Sequence, residues 1–285
     1  MAVRKPTRVE TQRTCVLVSF GLAIITNFYY LSGRGVAGDY EGAAFHVEHT
    51  AFTPNVLFLL LFWAAAYFAQ IAYMHQLFAG SDDSKKAAGL AGWYVVSFNT
   101  MHFLWLMFFS HGHFVVAEVV MCLNFLFTAS LYFQKRTQTL TPPSLWLTVH
   151  MGACAMPFAW TLFGIFWSGA VATHSHSLVG RLFANVFIWV LFAIPTFALL
   201  VFADWGFAYA SSFLTWGLAV AQILEKTFAL QWIFAIIIAT LVTIEATIIM
   251  FASGFTGLGN NNENVAELLE NVRREAGEQS PLIGR

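Results

Sequence analysis

The chain has 285 residues; 58% are hydrophobic, 17% aromatic and only 10% charged, and the formal net charge is −1. A soluble domain carries about 25% charged residues, so this mixture cannot cover a surface in water. The near-neutral balance implies no nucleic-acid partner.

Apolar runs fall at about 14–31, 54–78, 87–110, 114–133, 145–168, 182–202, 207–223 and 230–251. A membrane span needs about 20 such residues. In lipid only helices and closed barrels satisfy every backbone polar group, and the runs lack the alternation of barrel strands. The predicted fold is therefore all-α: a polytopic bundle of about eight transmembrane spans over 14–251. It is preceded by a basic segment 1–13 and followed by a tail 252–285. The first run follows Arg4, Lys5, Arg8 and Arg13 and ends in NFYYLSGRG, which has no Ala-x-Ala cleavage site. It reads as a retained span.

Basic residues set the expected orientation. With the N-terminus in the cytosol, eight spans put both termini there. Eleven of the fourteen basic residues then fall on the cytosolic side: Arg4, Lys5, Arg8, Arg13, Lys85, Lys86, Lys135, Arg136, Arg273, Arg274 and Arg285. Trp93, Trp146, Trp167, Trp205 and Trp232 lie near predicted span ends, where indole anchors at the interface. Trp63, Trp105, Trp160, Trp189 and Trp216 lie deeper. Cys15, Cys122 and Cys154 all sit inside apolar runs, with neither a disulfide framework nor zinc spacing.

Histidines gather on the other side. His46 and His49 fall in the first outer loop, His111 and His113 in the tight turn SHGHF, and His174 and His176 in the third outer loop. Three readings stand open: polar loop residues, a proton sensor in an acidic lumen, and a metal site for zinc or copper with Glu48 as an added ligand. Within the spans, Asn99, His102 and Trp105 share one helix face, and Glu118 lies one turn into the fourth span. Intramembrane ionisable residues face the bundle interior and mark functional paths. His75, His102 and His150 are not at matched depths, which disfavours a haem-bridged bundle. Pro157 and Pro195 predict kinks.

The stretch FTPNVLFLLLFWAAAYFAQIAYMHQ resembles the second helix of the tryptophan-rich sensory (translocator, TspO-like) protein family, through Pro54, Phe58 or Phe62, Trp63 and Tyr67. FNTMHFLWLMFFSHGH is similar to that family's Asn-x-x-Trp-x-x-x-Phe-Phe pattern, through Asn99, Trp105 and Phe108–Phe109, with a longer Asn–Trp spacing. Asp204 and Trp216 look like the pair carried by eight-helix relatives. The family's double proline is a single Pro54 here, and its fifth-helix signature is hard to place in MPFAWTLFGIFW. A fungal branch of eight-span proteins also suits this length and layout. The resemblance implies a pocket for a hydrophobic or tetrapyrrole-like ligand, with a binding or transport role. The candidate lining is Trp63, Tyr67, Asn99, His102, Trp105 and Glu118. No cofactor is named by the sequence, and no catalytic constellation shows diagnostic spacing. The competing class is a metal- or haem-dependent membrane oxidoreductase using the outer histidines His46, His49, His111, His113, His174 and His176.

In the tail, Val265, Leu268, Leu269 and Val272 follow an amphipathic helical spacing. EQSPLI resembles an acidic dileucine sorting signal, with Glu278, Leu282 and Ile283 as its readable residues. That signal implies a clathrin-adaptor partner and a vacuolar or lysosomal address, with the plasma membrane as the alternative. A third class follows: an endomembrane structural or adaptor protein working through this tail.

Overall fold

The computed structural model describes residues 8–31, 50–135, 137–173, 178–224 and 230–253. Among them the regular structure is helical throughout. The helices are α1 (Arg8–Leu31), α2 (Val56–Ala79), α3 (Asp82–Ser110), α4 (Phe114–Phe133), α5 (Pro143–Ala172), α6 (Leu178–Phe187), α7 (Val190–Phe202), α8 (Trp205–Leu224) and α9 (Gln231–Ala252). Seven segments of the described chain are long and apolar enough to cross a membrane; α6 and α7 together supply one of these, Leu182–Phe202. The protein is a multi-pass helical membrane bundle.

The remaining predicted span, the third, is α3, which has the length but not the hydropathy. At 29 residues it rises about 43 Å at 1.5 Å per residue. Its polar residues lower its hydropathy yet turn inward: Asn99 and His102 are buried, and α3 packs on α1, α2, α4 and α5. It also begins earlier than the apolar run. Ser81 caps it by accepting the Ser84 N–H at 3.2 Å, and Asp82 and Asp83 in the first turn complement the helix dipole.

Helix α5 is the hub. Its best window is 83% buried, against 67% for α8 and 39% or less for the others among the seven. It starts with a wide, π-helical stretch, Trp146–Ala155, in which Met156 N–H reaches back to Met151 O. Pro157 follows at once. Having no N–H, it leaves no donor unsatisfied where the wide turn tightens. The predicted kink at Pro157 is thus a change of helical pitch. Before Pro195, the chain breaks at Ile188–Trp189 between α6 and α7.

Gly152, within the wide stretch, lets α2 approach closely: a Cβ there would lie 2.2 Å from Ala69 O. Small residues permit such backbone approach in membrane bundles. Trp232 is exposed at the start of α9, as an interfacial anchor would be, whereas Trp93, also exposed, lies well inside α3 because that helix begins at Asp82, and Trp146 and Trp167 are buried. Those two lie on faces that meet other helices: Trp146 packs on Trp205 of α8 at 5.0 Å, and Trp167 packs on Trp105 of α3 at 6.0 Å.

Candidate functional site

Two buried polar constellations stand at opposite ends of the bundle. The first contains most of the lining expected from the sequence. Trp63 of α2 stacks on His102 of α3 at 4.2 Å, and His102 stacks on Trp105 at 5.5 Å. Trp160 of α5 meets Trp63 and Trp105 edge-on at 4.9 and 5.6 Å. The spacing of α3 explains the stack, because residues three apart share a face.

Asn27 of α1 binds the set together. Its amide donates to the Tyr67 hydroxyl and to His102 Nε2 at 3.0 Å. The other ring nitrogen of His102, Nδ1, finds no hydrogen-bond partner among the described residues. Both amide atoms of Asn99 and the Trp160 indole nitrogen share this condition.

Glu118 joins the set through Ser168 of α5. The Trp105 indole N–H donates to Ser168 Oγ at 3.3 Å, and Ser168 neighbours the Glu118 carboxyl. The Cys122 thiol donates to Glu118 Oε1 at 3.4 Å, a weak bond. Glu118 Oε2 has no hydrogen-bond partner among the described residues. The carboxyl lies flat on Gly169, with Oε1 3.2 Å from where a Cβ would stand.

Gly169 also borders a cleft of about 540 Å³ between α5 and α6. Its walls are mainly phenylalanine: Phe52, Phe166, Phe183 and Phe187, with the exposed Thr173 at one margin. Leu182, Phe183, Val186 and Phe187 are exposed on α6, so the cleft opens on an apolar flank of the bundle. None of Trp63, Tyr67, Asn99, His102 and Trp105 lines this cleft, and Glu118 stands next to it across Gly169.

The second constellation lies where α4 ends, α5 begins and α7 meets α8. Asp204 caps α8 by accepting the Phe207 N–H on Oδ1 at 3.0 Å. Ala203, at φ +49°, turns the chain into that cap. The other oxygen accepts from the Tyr132 hydroxyl at 2.8 Å and from His150 Nε2 at 2.9 Å. His150 Nδ1 pairs with the Thr137 hydroxyl at 2.9 Å, and Trp146 covers the ring. Burial pushes the Asp204 carboxyl up, but the charge of His150, its hydrogen bond and those from Phe207 and Tyr132 outweigh burial. They leave it below the ordinary carboxylate value.

Sequence reasoning did not assemble this cluster. Asp204 entered only through a family resemblance, and His150 was noted only for its depth. The available signal was an isolated acid between two apolar runs, with a histidine one turn inside a neighbouring run. Asn27 was missed as well, although it is a lone amide within the first apolar run.

Of the outer histidines, His111 and His113 are exposed at the turn between α3 and α4, where Gly112 adopts φ +76°. His111 Nδ1 lies 2.7 Å from Met107 O. His46, His49, His174 and His176 lie outside the described residues, as do Glu278, Leu282 and Ile283 of the tail. Among the described residues no three His, Cys, Asp or Glu side chains gather as a metal site. Glu245 of α9 accepts a hydrogen bond from Thr196 at 2.7 Å.

These features define the class: a polytopic helical membrane protein with two buried polar constellations and an open apolar cleft among its described residues. Residues 181–283 match the family described as "Fungal protein of unknown function (DUF1774)", in keeping with the fungal eight-span branch considered from the sequence. That segment contains Asp204 but neither Glu118 nor His102. An uncharacterized protein of Schizosaccharomyces pombe, C637.03, is 35% identical over 92 residues, 32% of this chain and 34% of that protein. The similarity thus spans about a third of the curated relative's length. No solved structure matches the chain.

Proposed function

We propose that the protein is a membrane carrier or receptor that holds a small hydrophobic ligand, a class that includes tetrapyrrole-like molecules, within its helical bundle. The observation that carries this reading is the α5–α6 cleft of about 540 Å³, backed by polar side chains whose atoms have no partner among the described residues. Ligand pockets span about 300–1,000 Å³ and combine apolar walls with a few placed polar groups. The likeness of α2 and α3 to the tryptophan-rich sensory proteins supports the same reading. A ligand would enter sideways from the lipid, past Phe183 and Phe187, and settle toward Gly169. Trp105 and His102 would support the site from behind.

Arg13, Lys85, Lys86 and Lys135 all lie towards the Asp204 end, which supports a cytosolic location for that end and a luminal or external one for the cleft. The tail motif at Glu278, Leu282 and Ile283 supports delivery to the vacuole through a clathrin adaptor. A Leu282→Ala/Ile283→Ala double variant should then leave that compartment in fluorescence microscopy, and an unchanged location would contradict the address.

The binding test uses full-length protein in nanodiscs, titrated with protoporphyrin IX and with radiolabelled twelve-carbon amphiphiles. Saturable binding of at least one probe, lost when Thr173→Phe fills the exposed margin of the cleft, supports the function. Absence of saturable binding, or binding indifferent to Thr173→Phe, contradicts it.

A further inference from the structure

The acid beside the cleft restricts what the cleft would take. Glu118 sits in a membrane-spanning helix, where an ionised carboxylate is costly unless compensated. Among the described residues it makes no ion pair; those present join Lys85 to Asp82, Lys86 to Asp83 and His150 to Asp204. Its first oxygen receives the Cys122 thiol, a weak donor, and the Ser168 hydroxyl also hydrogen-bonds the carboxyl. Its second has no hydrogen-bond partner among the described residues. One carboxyl oxygen thus keeps unused acceptor capacity, and no cation among the described residues pairs with it.

Gly169 separates this carboxyl from the cleft with the smallest possible residue. The carboxyl occupies the space that a side chain on α5 would fill, as its 3.2 Å approach to the missing Cβ position indicates. Beyond Gly169 the cleft offers aromatic faces and little else. Ring faces attract cations as well as apolar chains. An acid with unused acceptor capacity, next to an apolar, phenylalanine-walled channel, matches a molecule that is cationic at one end and aliphatic along its length.

We infer that the ligand of this cleft is a long-chain amphiphilic amine, its ammonium group set against the Glu118 carboxylate and its chain along Phe166, Phe183 and Phe187. This rests on the cleft being the ligand site. An ammonium has three N–H donors, enough for both oxygens of Glu118. Acid-bearing ligands, including porphyrins with propionate groups, would meet Glu118 charge to charge and are disfavoured. A neutral alcohol can donate to one oxygen but brings no charge.

The test measures equilibrium binding of dodecylamine, dodecanol and dodecanoate to full-length protein in phosphatidylcholine nanodiscs at neutral pH, with empty nanodiscs as the blank. Dodecylamine should bind saturably and at least tenfold more tightly than dodecanol, with dodecanoate weakest. Glu118→Gln, nearly the same shape, should weaken dodecylamine at least tenfold and leave dodecanol within twofold. Dodecanol matching the amine, or Glu118→Gln leaving amine affinity intact, overturns the amine assignment while the cleft still stands. No saturable binding by any probe, or binding that survives Thr173→Phe, overturns the cleft itself. Circular dichroism and monodispersity of each variant confirm that a loss of binding is not a loss of fold.

Discussion

The His102 set and the Asp204 cluster are both buried and both polar, yet they are built differently. Around Asp204 the carboxylate oxygens and both His150 nitrogens have partners within 3.0 Å. Around His102 and Glu118, His102 Nδ1, both Asn99 amide atoms, Trp160 Nε1 and Glu118 Oε2 have no hydrogen-bond partner among the described residues, whereas at the Asp204 end that state falls on the flanking Gln138 Oε1 and Trp205 Nε1 rather than on the clamp itself. A satisfied buried network fixes structure. An unsatisfied one is destabilising and persists where something other than stability is served. The Asp204 cluster is therefore best understood as a clamp that ties the ends of α4, α5 and α7 to the start of α8, and the cleft end as the working region.

Substitutions can sharpen or break this contrast. The largest effect is expected from His150→Ala, which strands the Asp204 charge in the interior. Removing one partner of a buried pair costs about 3–5 kcal/mol. Thermal unfolding in detergent, followed by tryptophan fluorescence, should show a large drop; a melting temperature near that of wild type would mean that the clamp is not structural.

Gly152→Ala comes next. With a Cβ at 2.2 Å from Ala69 O, α2 and α5 must separate, and overpacking of this kind costs about 1–3 kcal/mol. Loss of the close approach should be visible as reduced cross-linking between introduced cysteines on those helices. Unchanged cross-linking and stability would argue against the approach.

Asn99→Leu should have the smallest effect on folding, and of opposite sign. It removes two buried polar atoms that have no hydrogen-bond partner among the described residues, a burial penalty that the cost of fitting the bulkier leucine into a packed interior largely offsets, so the melting temperature should hold or rise slightly. A clear fall would show that Asn99 has partners that stabilise the fold, and the contrast between the two ends would weaken.

The bundle was largely legible from the sequence because spans are set by runs of apolar residues, which need no knowledge of tertiary contacts. Helix α4 was placed to the residue, since His113 and Gln134 bound a run whose apolar residues far outnumber its few polar ones, Glu118 and Asn124 among them. The start of α3 was not, because its first turn is charged and its helicity comes from capping by Ser81. The face Asn99–His102–Trp105 was legible from its spacing. Its partners Asn27 and Trp160 were not, because which helices adjoin α3 is a tertiary fact. The cluster at Asp204 joins Tyr132, Thr137 and His150 across a gap of up to 72 residues, and no local pattern links them. The cleft was invisible for a similar reason: phenylalanines that line space and phenylalanines that fill it look alike along a chain.

A density map of the full-length protein purified from its native membrane tests the division between the two ends most directly. An elongated non-protein feature between α5 and α6, its polar end at Gly169 and Glu118, together with unbroken side-chain contacts from Thr137 to Asp204, is the expected result. A cleft closed by its own phenylalanines, or a bound molecule inserted between His150 and Asp204, would contradict it.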